Sequence, residues 1–275
     1  MNVPVNTGLS RLADQEQWSS FFSHFSHIVL VANSDRIDID TLKRSYPDTA
    51  LFVFFNKAYK VLERPFTGRC LLISRGQPKG ACIVYRNEVS QVLSLFDPQA
   101  FFGILNMRLS ETEKLNETKD YLDTPTGHLD LVGYCKAFYP EEKLPTSGFA
   151  IALWLAEQKI PATIVLAGFT GKRSDKWKVV AVHDWTFEQV FLRLLARQGK
   201  ISFDAGLPKN SYETLLERFP EFSVSAISST IAEVLSSRQN ATESQVDKLI
   251  SLTNVLRSFD KFLRGLKPGF LRKKK

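Results

Sequence analysis

Short, uninterrupted apolar runs that end at polar residues recur through the first three quarters of this chain. Four of them cover residues 27–32, 51–55, 70–74 and 164–167. A run of this length without polar alternation is typical of a strand that is buried on both faces. Such strands belong to parallel sheets covered by helices, so the pattern predicts an α/β fold.

Segments of helical character separate and follow these runs. Residues 40–45 are a predicted crossover helix between the first two strands, and residues 149–157 and 186–197 are predicted helices later in the chain. We therefore expect a Rossmann-like, mostly parallel sheet with helices on both faces.

The pattern is less regular elsewhere in this region. Further strands are predicted at 81–85 and 178–182, and a helix is predicted at 97–105. A polar, acidic stretch at 110–123 is predicted to be an excursion over the surface.

Helical periodicity dominates after residue 203, with predicted helices at 223–237 and 243–266. We expect three parts: an α/β domain at 1–205, a helical appendage at 206–256 and a basic amphipathic tail at 257–275.

The net charge of the chain is concentrated in that tail. The 275 residues carry a formal charge of +7, and residues 257–275 hold eight Lys and Arg against Asp260 alone. The rest of the chain balances 28 basic with 28 acidic residues, which argues against a nucleic-acid partner. Cations interleaved with Phe and Leu suit an anionic membrane surface, and a solvated end is the alternative.

The cysteines and the N-terminus predict an intracellular setting. Cys70, Cys82 and Cys135 are too few and too scattered for a disulfide framework or a thiolate zinc site. No signal peptide is visible, and no apolar stretch reaches the roughly 18 residues of a membrane-spanning helix. We expect a cytoplasmic protein, soluble or peripheral at the inner face of the cytoplasmic membrane.

Polar and small residues recur where the predicted strands end. Ligands bind at the carboxyl ends of strands in parallel sheets. Each of these residue types also has an ordinary role in turns and caps, so no single one indicates a site. Their occurrence together at one edge of the predicted sheet does. The candidates are Asn33, Ser34, Asn56, Thr146, Ser147, Gly148, Gly168, Gly171 and His183.

The segment from Pro145 to Gly148 directly precedes a predicted helix. Glycine at this point lets a ligand approach free N–H groups whose partial positive charge suits a phosphate. No Gly-Lys-Ser/Thr follows, and no G-x-G-x-x-G follows the first strand, which weakens the ATPase and dinucleotide-binding interpretations.

His183 and Glu188 are the candidate catalytic residues, because they lie in the segment with the most reactive side chains. Histidine titrates near neutral pH, so one at a strand end suits a general base. Five residues correspond to about 500° of helix, so His183 and Glu188 would not share a helical face on which to chelate a metal.

His128 is a second, weaker histidine candidate. Asp38 and Asp40 match a D-x-D metal pattern, although aspartate is also expected there as a helix cap.

Together these segments resemble the sialyltransferase family of animals and its bacterial relatives. The large sialylmotif is similar to residues 29–34 followed by 54–56, and the small sialylmotif is similar to residues 145–148 through 167–169. The very short motif, a His followed after four residues by Glu, resembles His183 through Glu188. The family's glycine before Asn-Ser is Ala32 here.

The resemblance implies a glycosyltransferase that takes its sugar from a cytidine monophosphate (CMP) donor. It implies contacts to CMP by Asn33 and Asn56, and contacts to ribose and phosphate by Thr146, Ser147, Gly148 and Gly168. His183 would deprotonate the acceptor hydroxyl, with inversion and with no metal or other cofactor. The sugar would be a 2-keto acid, either sialic acid or 3-deoxy-manno-octulosonic acid (Kdo), and the acceptor a glycan or lipooligosaccharide.

Two other functions stay open at this point. A metal-dependent nucleotide-sugar transferase would use Asp38 and Asp40 and would be inhibited by a chelator. A non-catalytic, membrane-associated module would bind no CMP and would be insensitive to substitution of His183.

Overall fold

The computed structural model describes residues 8–34, 37–78, 82–171, 182–206 and 218–237. The chain divides into two compact units, Met1–Leu207 and Pro208–Lys275.

The described residues of the first unit form a seven-stranded sheet in which every paired strand is parallel to its neighbour. The strand order is β5-β4-β3-β2-β1-β6-β7. This confirms the predicted α/β, Rossmann-like fold. The strands are β1 (His27–Val31), β2 (Leu51–Phe55), β3 (Cys70–Arg75), β4 (Phe101–Arg108), β5 (Thr126–Asp130), β6 (Thr163–Ala167) and β7 (Ser202–Phe203).

The order of the strands reverses at β1. Ile28 in β1 is aligned with Leu51 of β2 on one side and with Ile164 of β6 on the other. The connections that leave β1 and β6 therefore diverge, and at such a switch point an open parallel sheet has its crevice at the carboxyl ends of the strands. This crevice is where an open parallel sheet offers space for a ligand.

Six α-helices are described in this unit. Four of them begin at a side chain that accepts a backbone N–H of the first turn: Asp14, Asp38, Thr146 and Asp184. Such caps satisfy donors that have no partner within the helix. The helices are α1 (Gln15–Phe22), α2 (Ile39–Arg44), α3 (Val89–Leu93), α4 (Val132–Lys136), α5 (Ser147–Glu157) and α6 (Trp185–Arg197).

The core lies on both faces of the sheet, because the side chains of each strand alternate between them. Ile28 and Leu30 pack in one cluster with residues of α1, α5 and α6. Val29 and Val31 pack in the other with residues of α2 and α3. All five residues of β2 are buried, which explains the uninterrupted apolar run in its sequence.

Two sequence predictions between β3 and β5 are wrong. The helix predicted at 97–105 is largely strand β4, because its apolar residues pair with β3 and are buried between two neighbouring strands. The strand predicted at 81–85 is not formed by residues 83–85, which lie in a turn over 83–87 in which the N–H of Glu88 donates to the carbonyl of Ile83. Apolar side chains fill the core there without joining the sheet.

The stretch at 110–123 lies largely at the surface, as predicted, but three of its residues are buried. Glu113, Asn116 and Tyr121 are buried within it, and Thr118–Tyr121 is a short 3-10 helix. Strand β5 follows soon after and was not predicted. Of the strand predicted at 178–182, only Val182 is described, and it lies in a turn.

The described part of the second unit is mostly helical. Residues 224–237 form a helix, in agreement with the prediction for 223–237. The predicted helix at 243–266 and the basic tail lie outside the described residues. Among the residues that are described, no helix is long and apolar enough to cross a membrane.

Candidate functional site

The two asparagines that follow β1 and β2 each form a hydrogen bond with the next strand of the sheet, Asn33 with β2 and Asn56 with β3. Asn33 Nδ2 donates to the carbonyl of Phe55 at 3.0 Å, and Asn56 Oδ1 accepts from the N–H of Arg75 at 3.0 Å. Asn33 Oδ1 is buried and has no hydrogen-bond partner among the described residues. A buried acceptor without a donor costs about 1–3 kcal/mol, so this oxygen is suited to a ligand donor.

The N-terminus of α5 faces the same edge of the sheet. Thr146 caps the helix, since its Oγ1 accepts from the N–H of Phe149 at 3.1 Å. Thr146 is held in turn by Glu188 of α6, whose carboxylate accepts from the Thr146 N–H and from its hydroxyl, both at 2.7 Å. The first-turn N–H groups of Ser147 and Gly148 have no partner within the helix and can bind an anion.

Glu188 is only 3% exposed and also accepts from the hydroxyl of Tyr139 at 2.9 Å. Burial raises the pKa of this carboxyl to about 7, against the opposing effect of its hydrogen bonds. The side chain predicted as a catalytic partner of His183 is thus engaged with Thr146 and Tyr139. This geometry suits positioning of the α5 N-terminus.

His183 precedes α6 and contacts the loop that leads into α5. Its Nδ1 lies 2.6 Å from the carbonyl oxygen of Leu144. A carbonyl can only accept, so this contact places the ring proton on Nδ1 and leaves the lone pair on Nε2. Burial lowers the pKa of His183 below 6.5, and the nearby charge of Arg75 acts in the same direction. The imidazole is therefore neutral at physiological pH.

Two glycines allow close packing around the crevice. Gly168 follows β6 with φ of 75°, and a Cβ there would lie 2.5 Å from Ile37 Cδ1 and 3.0 Å from Ser34 Cβ. A Cβ on Gly148 would lie 2.6 Å from the ring of Phe169. A larger residue at either position would force the side chain of Ile37 or of Phe169 to move.

A buried ion pair lies at the carboxyl end of β3. The guanidinium of Arg75 pairs with Glu113, and these side chains are 8% and 0% exposed. Arg75 Nη1 also reaches the carbonyl of Pro145 at 3.4 Å and Ser147 Oγ at 3.5 Å. The pair thus contacts the segment that leads into α5.

No protein-family model, curated protein or solved structure matches this chain.

The structure brings together most of the residues predicted from sequence. Asn33 and Ser34 follow β1, Asn56 follows β2, and Gly168 follows β6. The segment of Thr146, Ser147 and Gly148 is joined to the segment of His183 and Glu188 by the contacts to Leu144 and Thr146. The chemistry available here is anion binding at a helix N-terminus beside a neutral imidazole.

Other predicted candidates lie apart from this contact network or have structural roles. His128 is within β5, and its Nε2 contacts the carbonyl of Asn116 at 2.8 Å. Asp38 caps α2 through the N–H groups of Asp40 and Thr41, which confirms the expected helix cap. Asp40 pairs with Arg64 at 2.5 Å.

Three residues of the site, Arg75, Glu113 and Tyr139, were not predicted from the sequence. Arg75 carried a usable signal, because it directly follows the predicted strand at 70–74, as Asn33 and Asn56 follow theirs. Glu113 was hidden in a stretch predicted to be surface. Tyr139 carried no comparable signal.

Proposed function

We propose that this protein is an inverting, metal-independent glycosyltransferase that moves a 2-keto sugar acid from a CMP-sugar to a glycan or glycolipid acceptor. The observation that carries the proposal is that the segment before α5 both contacts the proposed base, His183, and forms the proposed anion site. Leu144, which orients His183, lies two residues before Thr146, the cap of α5.

The crevice suits a nucleotide donor. The first-turn N–H groups of α5 and the hydroxyl of Ser147 would bind the phosphate of CMP. Asn33 Oδ1, buried and without a described partner, would accept a hydrogen bond from the nucleoside. The close approach that Gly168 permits keeps the loops after β1 and β6 compact around this ligand.

The chemistry follows from the tautomer of His183. Its Nε2 lone pair takes the proton of the acceptor hydroxyl while that oxygen forms a bond to the anomeric carbon of the sugar. The bond from the anomeric carbon to the phosphate oxygen of CMP breaks, and its electron pair leaves with the phosphate. The N-terminus of α5 stabilises the charge on the departing CMP.

The sugar is sialic acid or Kdo, since both are 2-keto acids activated by CMP. A lipid-linked acceptor, as in lipooligosaccharide synthesis, agrees with the basic tail. Asp38 and Asp40 do not favour the metal-dependent alternative, because one caps a helix and the other pairs with Arg64.

The experiment is a transfer assay with CMP-sialic acid and CMP-Kdo, using His183→Ala and, as a matched control, His24→Ala. His24 is exposed, and its ring contacts only the carbonyl of Phe21 among the hydrogen bonds described. We expect His183→Ala to lose transfer while it retains CMP binding, and His24→Ala to match wild type. Unchanged turnover in His183→Ala would refute the proposal.

The basic tail supports a location at the inner face of the cytoplasmic membrane. Each basic residue near an anionic surface contributes about 1 kcal/mol, so the net charge of +7 at 257–275 is ample for peripheral binding. Flotation with phosphatidylglycerol-containing liposomes tests this. The full chain should float and a chain truncated after Ser258 should not, whereas equal flotation would exclude a membrane role for the tail.

A further inference from the structure

The ion pair of Arg75 and Glu113 is almost fully buried, although both side chains are charged. Charges removed from water are costly unless their hydrogen bonds are satisfied. Arg75 Nε and Nη2 both point to the Glu113 carboxylate, and Glu113 Oε2 also accepts from the N–H of Leu109 at 2.8 Å. The pair is therefore fixed in one orientation, with Nη1 of the guanidinium directed elsewhere.

That remaining nitrogen points toward the start of α5. It lies 3.4 Å from the carbonyl of Pro145 and 3.5 Å from Ser147 Oγ. The backbone N–H of the same arginine donates to Asn56 Oδ1 at 3.0 Å. Arg75 thus contacts both segments, the Asn56 turn and the first turn of α5, between which the proposed donor would bind.

The charge of Arg75 also acts on the base. Burial is the main cause of the lowered pKa of His183, and the Arg75 cation lowers it further. Among the described residues, the other titratable groups around this part of the site are Asp184 and Glu188 from the α6 segment, Tyr139 from the segment after α4 and the buried Cys135 of α4. Glu113 lies on the opposite side of the guanidinium and balances its charge within the core.

We propose that Arg75, fixed by Glu113, is a positioning residue that holds the first turn of α5 against the carboxyl end of β3 and so sets the spacing between Ser147 and Asn56. The effect on CMP binding rests on the proposed function. The effect on His183 does not, because it requires only that Arg75 lie where the structure places it.

The test compares Arg75→Met/Glu113→Gln with wild type. The double variant removes both charges and keeps an acceptor for the Leu109 N–H, so no lone buried charge remains. Arg108→Met is the matched control, since Arg108 also lies at the carboxyl end of a strand and pairs with Asp130 at 2.6 Å. Calorimetry with CMP and NMR titration of the His183 ring are the two measurements.

In the double variant we expect CMP affinity to fall by about tenfold, the loss of roughly one charge-assisted hydrogen bond, and the pKa of His183 to rise. Arg108→Met should match wild type in both measurements. Wild-type CMP affinity together with a wild-type His183 titration in the double variant would overturn the proposal.

Arg75→Lys separates the effect of the charge from that of the geometry, and it tests the proposal if the double variant does not fold. It keeps the cation but cannot reach Glu113 and Ser147 together. We expect a titration of His183 near that of wild type with weakened CMP binding, and wild-type CMP binding would overturn the proposal. If wild type itself binds no CMP, the proposed function fails, and a rise in the His183 pKa in the double variant would still support the placement of Arg75.

Discussion

Glu188 holds Thr146 by two hydrogen bonds of 2.7 Å, one from the backbone N–H and one from the hydroxyl. The two residues are 42 positions apart, and their contact joins α6 to the cap of α5. The helix end proposed to bind phosphate is therefore fixed by the segment that carries the proposed base.

The buried carboxyl of Glu188 makes the stability of the protein depend on pH. Its folded-state pKa of about 7 lies above the ordinary value of 4.5, so the folded chain retains a proton that the unfolded chain releases. This contribution is fully present below pH 4.5 and is lost as the pH rises through 7. Glu188→Gln should remove it.

Urea unfolding at pH 5 and pH 8 measures that effect. Between these values, wild type should lose roughly 2–3 kcal/mol more in free energy of unfolding than Glu188→Gln. Other titrating groups act on both proteins and cancel in the comparison. Equal losses in the two proteins would show that Glu188 is not a buried acid of this kind.

The lowered pKa of His183 predicts the acidic limb of activity. Only the neutral imidazole can accept the proton of the acceptor hydroxyl, so the rate should fall as the pH falls through the folded-state pKa. The midpoint of this limb in kcat/KM should lie below 6.5, the ordinary value for histidine. A midpoint above 6.5 would contradict the partly buried position of the ring.

Gly168→Ala should destabilise the protein for two separate reasons. Its φ of 75° disfavours any side chain, and a Cβ there would also collide with Ile37. Gly199 is the matched control, because its φ is 71° and its Cβ would meet nothing within 4 Å. We expect about 1 kcal/mol of destabilisation for Gly199→Ala and more for Gly168→Ala, with weaker CMP binding in the latter alone.

Thermal unfolding and CMP calorimetry of the two variants provide the comparison. If Gly168→Ala and Gly199→Ala lose the same stability and bind CMP equally, the tight packing of the loops after β1 and β6 has no bearing on the ligand.

Asp38 distinguishes the metal-dependent alternative from the proposed one. Its side chain caps α2, so Asp38→Ala should cost about 1 kcal/mol in stability, and Asp38→Asn should retain most of it. Both variants should keep transfer activity once folded. Loss of activity in Asp38→Asn, together with inhibition by a chelator, would favour the metal-dependent transferase.

The strands that lie deepest in the sheet could be predicted from sequence alone. β1, β2, β3 and β6 are buried on both faces, and each therefore appears as an apolar run. Strand β4 could not be predicted, because a short apolar segment fits helix and strand equally until its pairing with β3 decides between them.

The part of the site that could be predicted from the sequence consists of residues that directly follow strands. Asn33, Asn56 and Gly168 follow strands, and parallel strands bring their carboxyl ends to one edge. The partner of Arg75 lies 38 residues away in a segment of surface-like composition, so only the folded chain reveals the pair. Glu188 was predicted as a catalytic candidate, but its contacts with Thr146 and Tyr139 could not be predicted, because they depend on how α5 and α6 pack.

The nucleotide preference of the wild-type chain tests the central claim most directly. Thermal unfolding is measured with CMP, UDP, GDP and S-adenosylmethionine, each in excess, because a ligand that binds the folded state raises the midpoint. We predict that CMP alone stabilises the protein. No shift with CMP, or a larger shift with UDP or GDP, would contradict it.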